Sequence, residues 1–363
     1  MTEKVTIADV ARLAGVSRQT VSNALNSPEV VREETRQRVL RAVEELGYRV
    51  NQAARQMRTG RSRLIAIRIE PDRDGINGSV LDRFLHGLTE SAALSGYRVL
   101  LYTADDDQAE VDTFEDLLGA YEPDAFVLTS THHGDLRTAW LLDHKVPFVT
   151  FGRPWSADSA GAAHAWVDVD GAAGTAAATR HLLDAGHRVI GFLGWPPGSG
   201  VGDDRREGWA RTLAATGVDP AGLSRATGDD VADGEKAAHD LLRSDLGVTA
   251  LVCVSDSLAL GALHATRSPG LAWQPGGRPG GRLGGRLGGR LGGGAVERPV
   301  AVIGFDDTPV AKAVGLTSLS QPLTQAAAHC VALLTTLLDG QANPGGPPAN
   351  VLLEPSLVVR QSA

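Results

Sequence analysis

The spacing of the apolar residues divides the chain into two parts. Up to residue 46, apolar residues recur at the spacing of one face of an amphipathic helix. From residue 64 onward, short apolar runs alternate with segments of helical length. This rhythm predicts a small helical head followed by a large body of βαβ units.

The head is predicted to contain three short helices. Thr6 and Asp9 have the spacing of a capping box at the start of the first helix. Ser17 is placed to cap a second helix, and a third helix runs from about Arg32 to Leu46. Two helices joined by a tight glycine-containing turn, with a third helix bracing them, form a helix-turn-helix module, which we assign to 1–49.

The second predicted helix carries hydrogen-bonding side chains on its outward positions and no acidic residue. In a helix-turn-helix module these positions reach base edges in the major groove, where Arg pairs with guanine and Gln or Asn with adenine. The alternative is a small helical bundle with a polar face. The candidate DNA-contacting residues of the head are Thr6, Ser17, Arg18, Gln19, Thr20, Ser22, Asn23 and Asn26.

A basic segment follows the head, since residues 49–63 contain five arginines and no acid. A short helix here, with small residues and one apolar side chain, suits a minor groove, where an apolar wedge unstacks a base step. The alternative is a solvated tether. The candidate DNA-contacting residues of this segment are Asn51, Ala54, Arg55, Met57 and Arg58.

Charge also separates the two parts of the chain. The net charge is −8, yet residues 1–63 hold 12 Lys and Arg against 7 Asp and Glu, whereas the rest of the chain holds 23 against 36. A basic head on an acidic body indicates that the head, rather than the body, binds a polyanion.

The apolar runs of the body are typical of buried strands. They lie at 64–69, 98–102, 125–129, 147–151, 165–169, 188–193, 249–254 and 299–305. About ten strands over this length suit two doubly wound lobes better than one sheet. The predicted fold is therefore an α-helical helix-turn-helix head plus an α/β body of two doubly wound parallel-sheet lobes.

Three stretches of the head, VTIADVARLAGVSRQTVSNALN, TRQRVLRAVEELGY and NQAARQM, resemble the N-terminal head of the LacI/GalR family of bacterial transcriptional regulators. The resemblance implies base reading by Arg18 and Gln19, a hinge helix at 51–58 that orders on DNA, and a wedge at Met57. It also implies that 50–63 is a hinge and linker.

The head departs from the family pattern at three positions. Val50 stands where Pro is usual, Met57 where Leu is usual, and Arg32 where a capping Ser is usual. Met is apolar but flexible, so it is a less pre-shaped wedge than Leu. The departures therefore predict weaker ordering of the hinge.

The body resembles the effector domain of the same family, which is similar to periplasmic sugar-binding proteins. The matching stretches are DVDGAAGTAAATRHLLDAGHRVIGFLG, DDRREGW, CVSDSLALGAL, VIGFDD and SLSQP. The resemblance implies an effector-binding and dimerisation domain at 64–363. Its first lobe would span about 64–167 and 321–352, and its second lobe about 168–320 and 353–363.

Several polar residues follow the predicted strands, at the edge where ligands of doubly wound folds bind. Carboxylates and Arg pair with hydroxyl groups, and Trp offers a flat apolar face to a sugar ring. For Asp170 and Asp256 the alternative is a helix cap; we favour the cap for Asp170 and ligand contact for Asp256. The candidate effector-binding residues are Asn77, Arg153, Trp155, Trp195, Arg205, Asp256 and Asp306.

One segment, 268–299, departs from the family because it contains the repeat GGRPGGRLGGRLGGRLGGG. A run so rich in glycine cannot repay its ordering entropy, so we expect it to be flexible. We interpret it as an expanded surface loop; the alternative is a basic arm that touches DNA or another chain.

Other classes of protein are disfavoured. No apolar run approaches the ~18 residues of a membrane span, and the N-terminus lacks the apolar core of an export signal. GSGVGDD is not a P-loop, no G-x-S-x-G elbow occurs, and adjacent His132 and His133 would face opposite sides of a strand. The sequence therefore predicts a cytoplasmic, nucleoid-associated protein that is not an enzyme and uses no cofactor or metal.

Together these features predict a sequence-specific DNA-binding regulator that represses sugar-utilisation genes. We expect a homodimer on a palindromic double-stranded DNA operator, controlled by a mono- or oligosaccharide between the lobes. One alternative is an effector that is a nucleoside or a phosphorylated metabolite. Another is a solute-binding protein, which the helical head and the missing export signal oppose.

Overall fold

A computed structural model describes residues 5–48, 56, 60–69, 78–155, 163–267, 300–340 and 350–363. It divides into two compact units, Met1–Arg63 and Leu64–Ala363. Several residues named above lie outside the described residues. They are Val50, Asn51, Ala54, Arg55, Met57, Arg58, Asn77, the segment 268–299 and the side chain of Asn26.

The head unit consists of three helices, α1 (Ile7–Ala14), α2 (Arg18–Asn26) and α3 (Glu33–Leu46), with a short 3-10 turn at Pro28–Val30. Their inward faces form one apolar core. It comprises Val10, Ala11, Ala14, Val21, Ala24, Val39 and Ala42. A core this small depends strongly on well-capped helices, because short helices are marginal by themselves.

The predicted capping box is present at the start of α1. The Asp9 carboxylate accepts hydrogen bonds from the Thr6 backbone N–H at 2.9 Å and from the Thr6 hydroxyl at 2.6 Å. These two bonds, helped by nearby Arg12, hold the pKa of Asp9 below its usual value. Gly15 ends the helix in the left-handed conformation, with φ 63°, which only glycine adopts without strain.

The start of α3 lacks a side-chain cap. Arg32 occupies the N-cap position with φ −58° and ψ 138°, and its side chain makes no capping hydrogen bond. We expect Arg32→Ser to stabilise the head by about 1 kcal/mol, because a serine hydroxyl would accept a bond from an unsatisfied N–H of the first turn. Urea unfolding of the head unit measures the change. Arg38→Ser is the matched control, because it removes the same charge from an exposed position inside α3. An equal effect of the two substitutions would contradict the capping argument.

The body contains two six-stranded sheets. The first sheet has the order β11-β5-β4-β3-β1-β2 and every strand pair in it is parallel. Its strands are β1 (Leu64–Arg68), β2 (Arg98–Tyr102), β3 (Ala125–Leu128), β4 (Phe148–Phe151), β5 (Trp166–Val169) and β11 (Asn350–Leu353). Such a sheet has both faces covered, so its strands are nearly continuous apolar runs.

The second sheet has the order β12-β10-β9-β8-β6-β7. Its strands are β6 (Ile190–Gly194), β7 (Ser224–Ala226), β8 (Ala250–Cys253), β9 (Ala301–Phe305), β10 (Thr317–Ser320) and β12 (Ser356–Val358). The edge strand β12 runs antiparallel to β10, whereas the other pairs are parallel. We call each sheet with its covering helices a lobe; the chain passes between the lobes after β5, after β10 and after β11.

Nine helices occur in the described part of the body. They are α4 (Gly78–Leu94), α5 (Asp107–Ala120), α6 (Leu136–Asp143), α7 (Gly171–Asp184), α8 (Val201–Ala214), α9 (Val231–Leu242), α10 (Asp256–Thr266), α11 (Pro309–Val314) and α12 (Leu323–Leu338). Phe84 of α4 and Leu334 of α12 pack on one face of the first sheet, and Phe114 of α5 and Leu141 of α6 on the other. Helices therefore cover both faces, as a doubly wound lobe requires.

Candidate functional site

The recognition face of the head lies on α2. Ser17 caps this helix by accepting a hydrogen bond from the Thr20 N–H at 3.0 Å. Val21 is fully buried and Ala24 nearly so, which turns the opposite side of the helix outward. Arg18 and Gln19 are exposed there. Periodicity alone predicted this orientation of the helix.

Two of the outward residues are joined to each other. The Gln19 side-chain amide donates to Asn23 Oδ1 at 2.9 Å, one helical turn away. The first turn of α2 has no acidic residue that would repel phosphate. Ser22 is half-buried beside this pair, and Thr6 is exposed at the start of α1 with its hydroxyl bonded to Asp9. The head thus presents neutral donors and acceptors together with the cation of Arg18.

The body contains a cavity of about 1020 Å³ that residues of both lobes line. Its wall follows the carboxyl ends of strands of both sheets, which is where ligands of open α/β folds bind. The polar side chains of the wall are Asp82, Thr129, Ser130, Thr131, His132, Asp168, Ser199, Arg205, Asp229, Asp230, Asp306 and Gln321, together with the indole of Trp195.

Three predicted residues meet in this wall. Trp195 follows β6, Arg205 lies in α8, and Asp306 follows β9. The guanidinium of Arg205 lies 5.6 Å from the centre of the Trp195 ring and 3.8 Å from a carboxylate oxygen of Asp306. A cation, a flat donor ring and a carboxylate thus converge, as the strand-end positions predicted.

The side chain of Arg205 is nearly buried and is fixed in position by contacts within the second lobe. It donates to the Val254 carbonyl at 2.6 Å, and its guanidinium carbon lies 3.6 Å from the centre of the Phe305 ring. The Arg205 Nε–H is buried and has no partner among the described residues. The 8% of the Arg205 side chain that is exposed is the part that can contact a ligand in the cavity.

Asp306 has an unusual backbone and an unusual carboxyl group. Its φ is 107°, a conformation that residues other than glycine rarely adopt, and such strain concentrates at functional sites. Gln321 donates to its carboxylate at 2.6 Å, and Arg83 of the first lobe donates to its carbonyl. Burial raises the pKa of Asp306 to about 7, although the nearby Arg205 cation opposes the rise.

Two more buried polar atoms of the wall lack partners among the described residues. These are the Thr129 hydroxyl, which follows β3, and the Trp195 Nε1–H. A buried polar group without a hydrogen bond costs free energy, so these two atoms and the Arg205 Nε–H are polar groups that the fold leaves unsatisfied beside the cavity.

The charge of the wall is mainly negative. Five carboxylates line the cavity, and the cationic residues that line it are Arg205 and His132. Sequence reasoning missed Asp82, Thr129, Asp229 and Gln321 as wall residues. A signal existed for Thr129, Asp229 and Gln321, because each follows the carboxyl end of a strand, β3 of the first sheet for Thr129 and β7 and β10 of the second for Asp229 and Gln321. Asp82 lies on a helix, so no strand-end signal pointed to it.

Arg153 and Trp155, predicted to touch the ligand, are not in the cavity wall. Arg153 donates to Asp168 Oδ2 at 2.6 Å and to Asp204 Oδ2 at 3.0 Å, so its guanidinium is engaged by two carboxylates of the protein. The Trp155 Nε1–H donates to Thr131 Oγ1 at 3.1 Å. The strand-end rule placed both residues at the correct edge but did not determine where their side chains point.

Asp256 is also absent from the cavity wall and is fully buried. One of its oxygens accepts from the Thr308 N–H at 2.7 Å and the other from the Ser318 hydroxyl at 2.6 Å. The carboxylate therefore joins β10 to the loop after β9, and Ser255 is the residue that caps α10. Asp170 does cap α7, through the Ala173 N–H at 2.8 Å, as we favoured.

His132 belongs to a buried network of charges beside the cavity. Its Nε2 lies 2.6 Å from Asp107 Oδ2 and its Nδ1 lies 3.1 Å from the His133 carbonyl. Burial lowers the pKa of His132, but these two bonds outweigh burial and the pKa is raised. Asp107, His132 and Asp135 lie close enough to share an ion. Arg137 instead supplies the positive charge, since it pairs with Asp135 at 2.6 Å.

Comparison with known proteins identifies the family of each part of the chain. The profile of the bacterial regulatory proteins of the lacI family matches residues 6–51, and that of periplasmic binding proteins and the sugar binding domain of the LacI family matches 79–277. A periplasmic binding protein-like domain matches 293–363. The HTH-type transcriptional regulator CelR of Thermobifida fusca is 30% identical over 364 residues, which cover 98% of each chain.

Solved structures are similar over the whole length. A transcriptional regulator CelR–cellobiose complex matches with a TM-score of 0.67 at 26% identity and covers 99% of this chain and 100% of the other. The lac repressor dimer bound to operator and the anti-inducer ONPF matches with a TM-score of 0.76 at 25% identity, covering 99% of each chain.

The helical head and the two-lobed body define the class of transcriptional regulators that carry a helix-turn-helix head on a periplasmic-binding-protein-like domain. The chain belongs to the LacI family of bacterial transcriptional regulators. Among the described residues no helix is long and apolar enough to cross a membrane.

Proposed function

We propose that this regulator is a repressor that binds a palindromic operator as a homodimer and leaves it when a neutral sugar enters the cavity. The observation that carries the DNA-binding part is the outward row of Arg18, Gln19 and Asn23 on a helix whose other face is buried. In a helix-turn-helix module such a row reads base edges, and a two-fold dimer reads two half-sites.

The segment 50–63 is proposed as the hinge and linker between the head and the effector domain. Its proposed contacts with the minor groove come from Asn51, Ala54, Arg55, Met57 and Arg58. Arginine contacts with phosphate add affinity for any DNA sequence, whereas the outward side chains of α2 add preference for a particular DNA sequence.

A sugar fits the chemistry of the cavity wall better than a phosphorylated compound does. The Arg205 guanidinium can donate to hydroxyl oxygens, the Trp195 ring offers an apolar face to a sugar, and the Asp229 and Asp306 carboxylates can accept from hydroxyl hydrogens. The acidic side chains of the wall outnumber its single arginine and would repel a phosphate group. The similar regulator CelR has been solved in complex with cellobiose, a disaccharide, which is consistent with a sugar effector for this protein.

The deciding experiment measures binding of the full chain to the DNA upstream of its own coding region, with and without a panel of sugars. We expect tight binding that one neutral mono- or oligosaccharide releases. Release only by a nucleoside or a sugar phosphate would replace the proposed effector class but keep the regulator. Failure to bind DNA at low salt would overturn the proposed function itself.

Substitution of Arg18 tests the orientation of α2 on DNA. We expect Arg18→Ala to cost about 1–3 kcal/mol at one base pair of each half-site and to relax the base preference there. Binding to a panel of operators with single base changes measures this. Arg38→Ala, on the exposed side of α3, is the control with the same change of charge. An equal loss of affinity for every operator would show that Arg18 contacts phosphate instead.

A further inference from the structure

Two contacts join the lobes beside the cavity. Arg153 and Trp155 follow β4 of the first lobe, and Gly200 and Asp204 lie at the start of α8 in the second. Arg153 Nη2 lies 3.0 Å from Asp204 Oδ2. The Trp155 ring lies directly against Gly200, since a Cβ added to that glycine would fall 2.6 Å from Trp155 Cγ.

Each partner is tied to its own lobe by further hydrogen bonds. In the first lobe Arg153 donates to Asp168 at 2.6 Å and Trp155 donates to Thr131 at 3.1 Å. In the second lobe Asp204 accepts from the Ala172 N–H at 2.9 Å. If the lobes separate, the Arg153–Asp204 and Trp155–Gly200 contacts therefore break, together with the hydrogen bond from Arg83 of the first lobe to the Asp306 carbonyl of the second.

Both contacts are well shielded and electrostatically reinforced. The Arg153 side chain is 17% exposed and the Asp204 side chain 16%, so water screens their attraction less than at an open surface. The guanidinium carbon of Arg153 also lies 4.6 Å from the centre of the Trp155 ring. The ion pair and the ring therefore act together rather than as separate surface contacts.

The same contacts border the cavity. Asp168 and Thr131, which Arg153 and Trp155 engage, both line the cavity, and so do Ser199 and Val201 on either side of Gly200. These contacts therefore help to fix the distance between the two walls of the cavity. A ligand that touches both lobes binds best when that distance is already correct.

We propose that Arg153, Trp155, Gly200 and Asp204 form an interlobe clamp whose members are positioning residues for effector binding. The clamp holds the two lobes at the spacing seen here in the absence of effector. The apparent affinity for effector rises with the fraction of molecules in which the lobes have this spacing. The link to affinity rests on the proposed function; the link to lobe spacing does not.

Four variants of the full chain test the clamp. Arg153→Gln and Asp204→Asn each break the ion pair, and the double variant tests whether the two residues act through the same contact. Gly200→Ala displaces the Trp155 ring without a change of charge. Arg206→Gln is the control, because Arg206 pairs with Asp203 at 3.5 Å on the exposed side of the same helix. Circular dichroism and thermal unfolding establish that each variant is folded.

The first measurement is hydrogen exchange without ligand. Amides at 129–135 and 199–205 should exchange about tenfold faster in either ion-pair variant and in Gly200→Ala. Tenfold faster exchange corresponds to a decrease of ~1.4 kcal/mol in the free energy of opening. The double variant should exchange no faster than the single ones, since both break the same contact. Unchanged exchange in both segments, or equal acceleration in Arg206→Gln, would overturn the clamp.

The second measurement is calorimetric titration with cellobiose. Affinity should fall about tenfold in Arg153→Gln and Asp204→Asn and stay unchanged in Arg206→Gln. Full affinity in a variant whose segments exchange faster would overturn the positioning role. If the unaltered protein does not bind cellobiose, that result counts against the proposed disaccharide, while the exchange measurement still decides the clamp.

Discussion

Replacement of Arg137 by methionine is expected to destabilise the body by about 3–5 kcal/mol, the largest effect on stability that we predict. Arg137 is fully buried in the first lobe. It pairs with Glu110 at 2.9 Å and with Asp135 at 2.6 Å, and it lies 3.4 Å from Asp107. Without the guanidinium, these carboxylates remain buried with too little positive charge.

The neighbours of Arg137 compensate only partly. Arg68 pairs with Glu110 at 2.7 Å, and His132 lies 2.6 Å from Asp107, but Asp135 loses the guanidinium that pairs with it at 2.6 Å. Arg137 also donates to the carbonyls of Thr129 and Ser130, which line the cavity. The substitution should therefore loosen the first-lobe wall as well as weaken the fold.

Calorimetric unfolding with and without denaturant measures the change. Arg188→Met is the matched control, because Arg188 is exposed and its side chain donates only to the nearby carbonyls of Leu183 and His187. The control should cost less than about 0.5 kcal/mol. A loss below about 1 kcal/mol in Arg137→Met would mean that the carboxylates find water or protons when the cation is removed.

Replacement of Arg205 by glutamine is expected to weaken effector binding about 100-fold while DNA binding without effector is retained. A hydrogen bond to a charged group contributes roughly 1.5–3 kcal/mol, and the cation also offsets the charge of Asp306. Arg205 lines the cavity, and its Nη1 lies 3.8 Å from a carboxylate oxygen of Asp306. Loss of the guanidinium removes a hydrogen-bond donor from the ligand and a neighbouring positive charge from Asp306.

The measurement is release of operator DNA by the sugar that the panel identifies. Arg205→Lys should recover only part of the affinity, because lysine restores the charge but not the planar guanidinium. Arg206→Gln, next along α8, should respond as the unaltered protein does. If Arg205→Gln retained full affinity, the ligand would lie elsewhere in the cavity.

The sequence predicted the features that arise from local periodicity and local capping. The head was predicted with its three helices, its inward Val21 and its capping box at Thr6, because each depends on residues within one or two turns. The strand and helix rhythm of the body was predicted for the same reason, with boundaries that differ by one or two residues. Trp195 and Asp306 were placed at the cavity because strand ends share one edge, whereas Arg205 was placed there because the sequence predicts a helix that opens at this residue after the loop at 198–202.

The tertiary structure alone decided which of those strand-end side chains face a ligand. Asp256 is engaged by Thr308 and Ser318, which lie 52 and 62 positions away along the chain. Arg153 is engaged by Asp204, 51 positions away and in the other lobe. Periodicity determines which edge of a sheet a residue occupies, but the partner that satisfies a buried charge comes from distant elements. The sequence thus determined where polar residues gather, and only the packing of the lobes determined which of them remain available to bind.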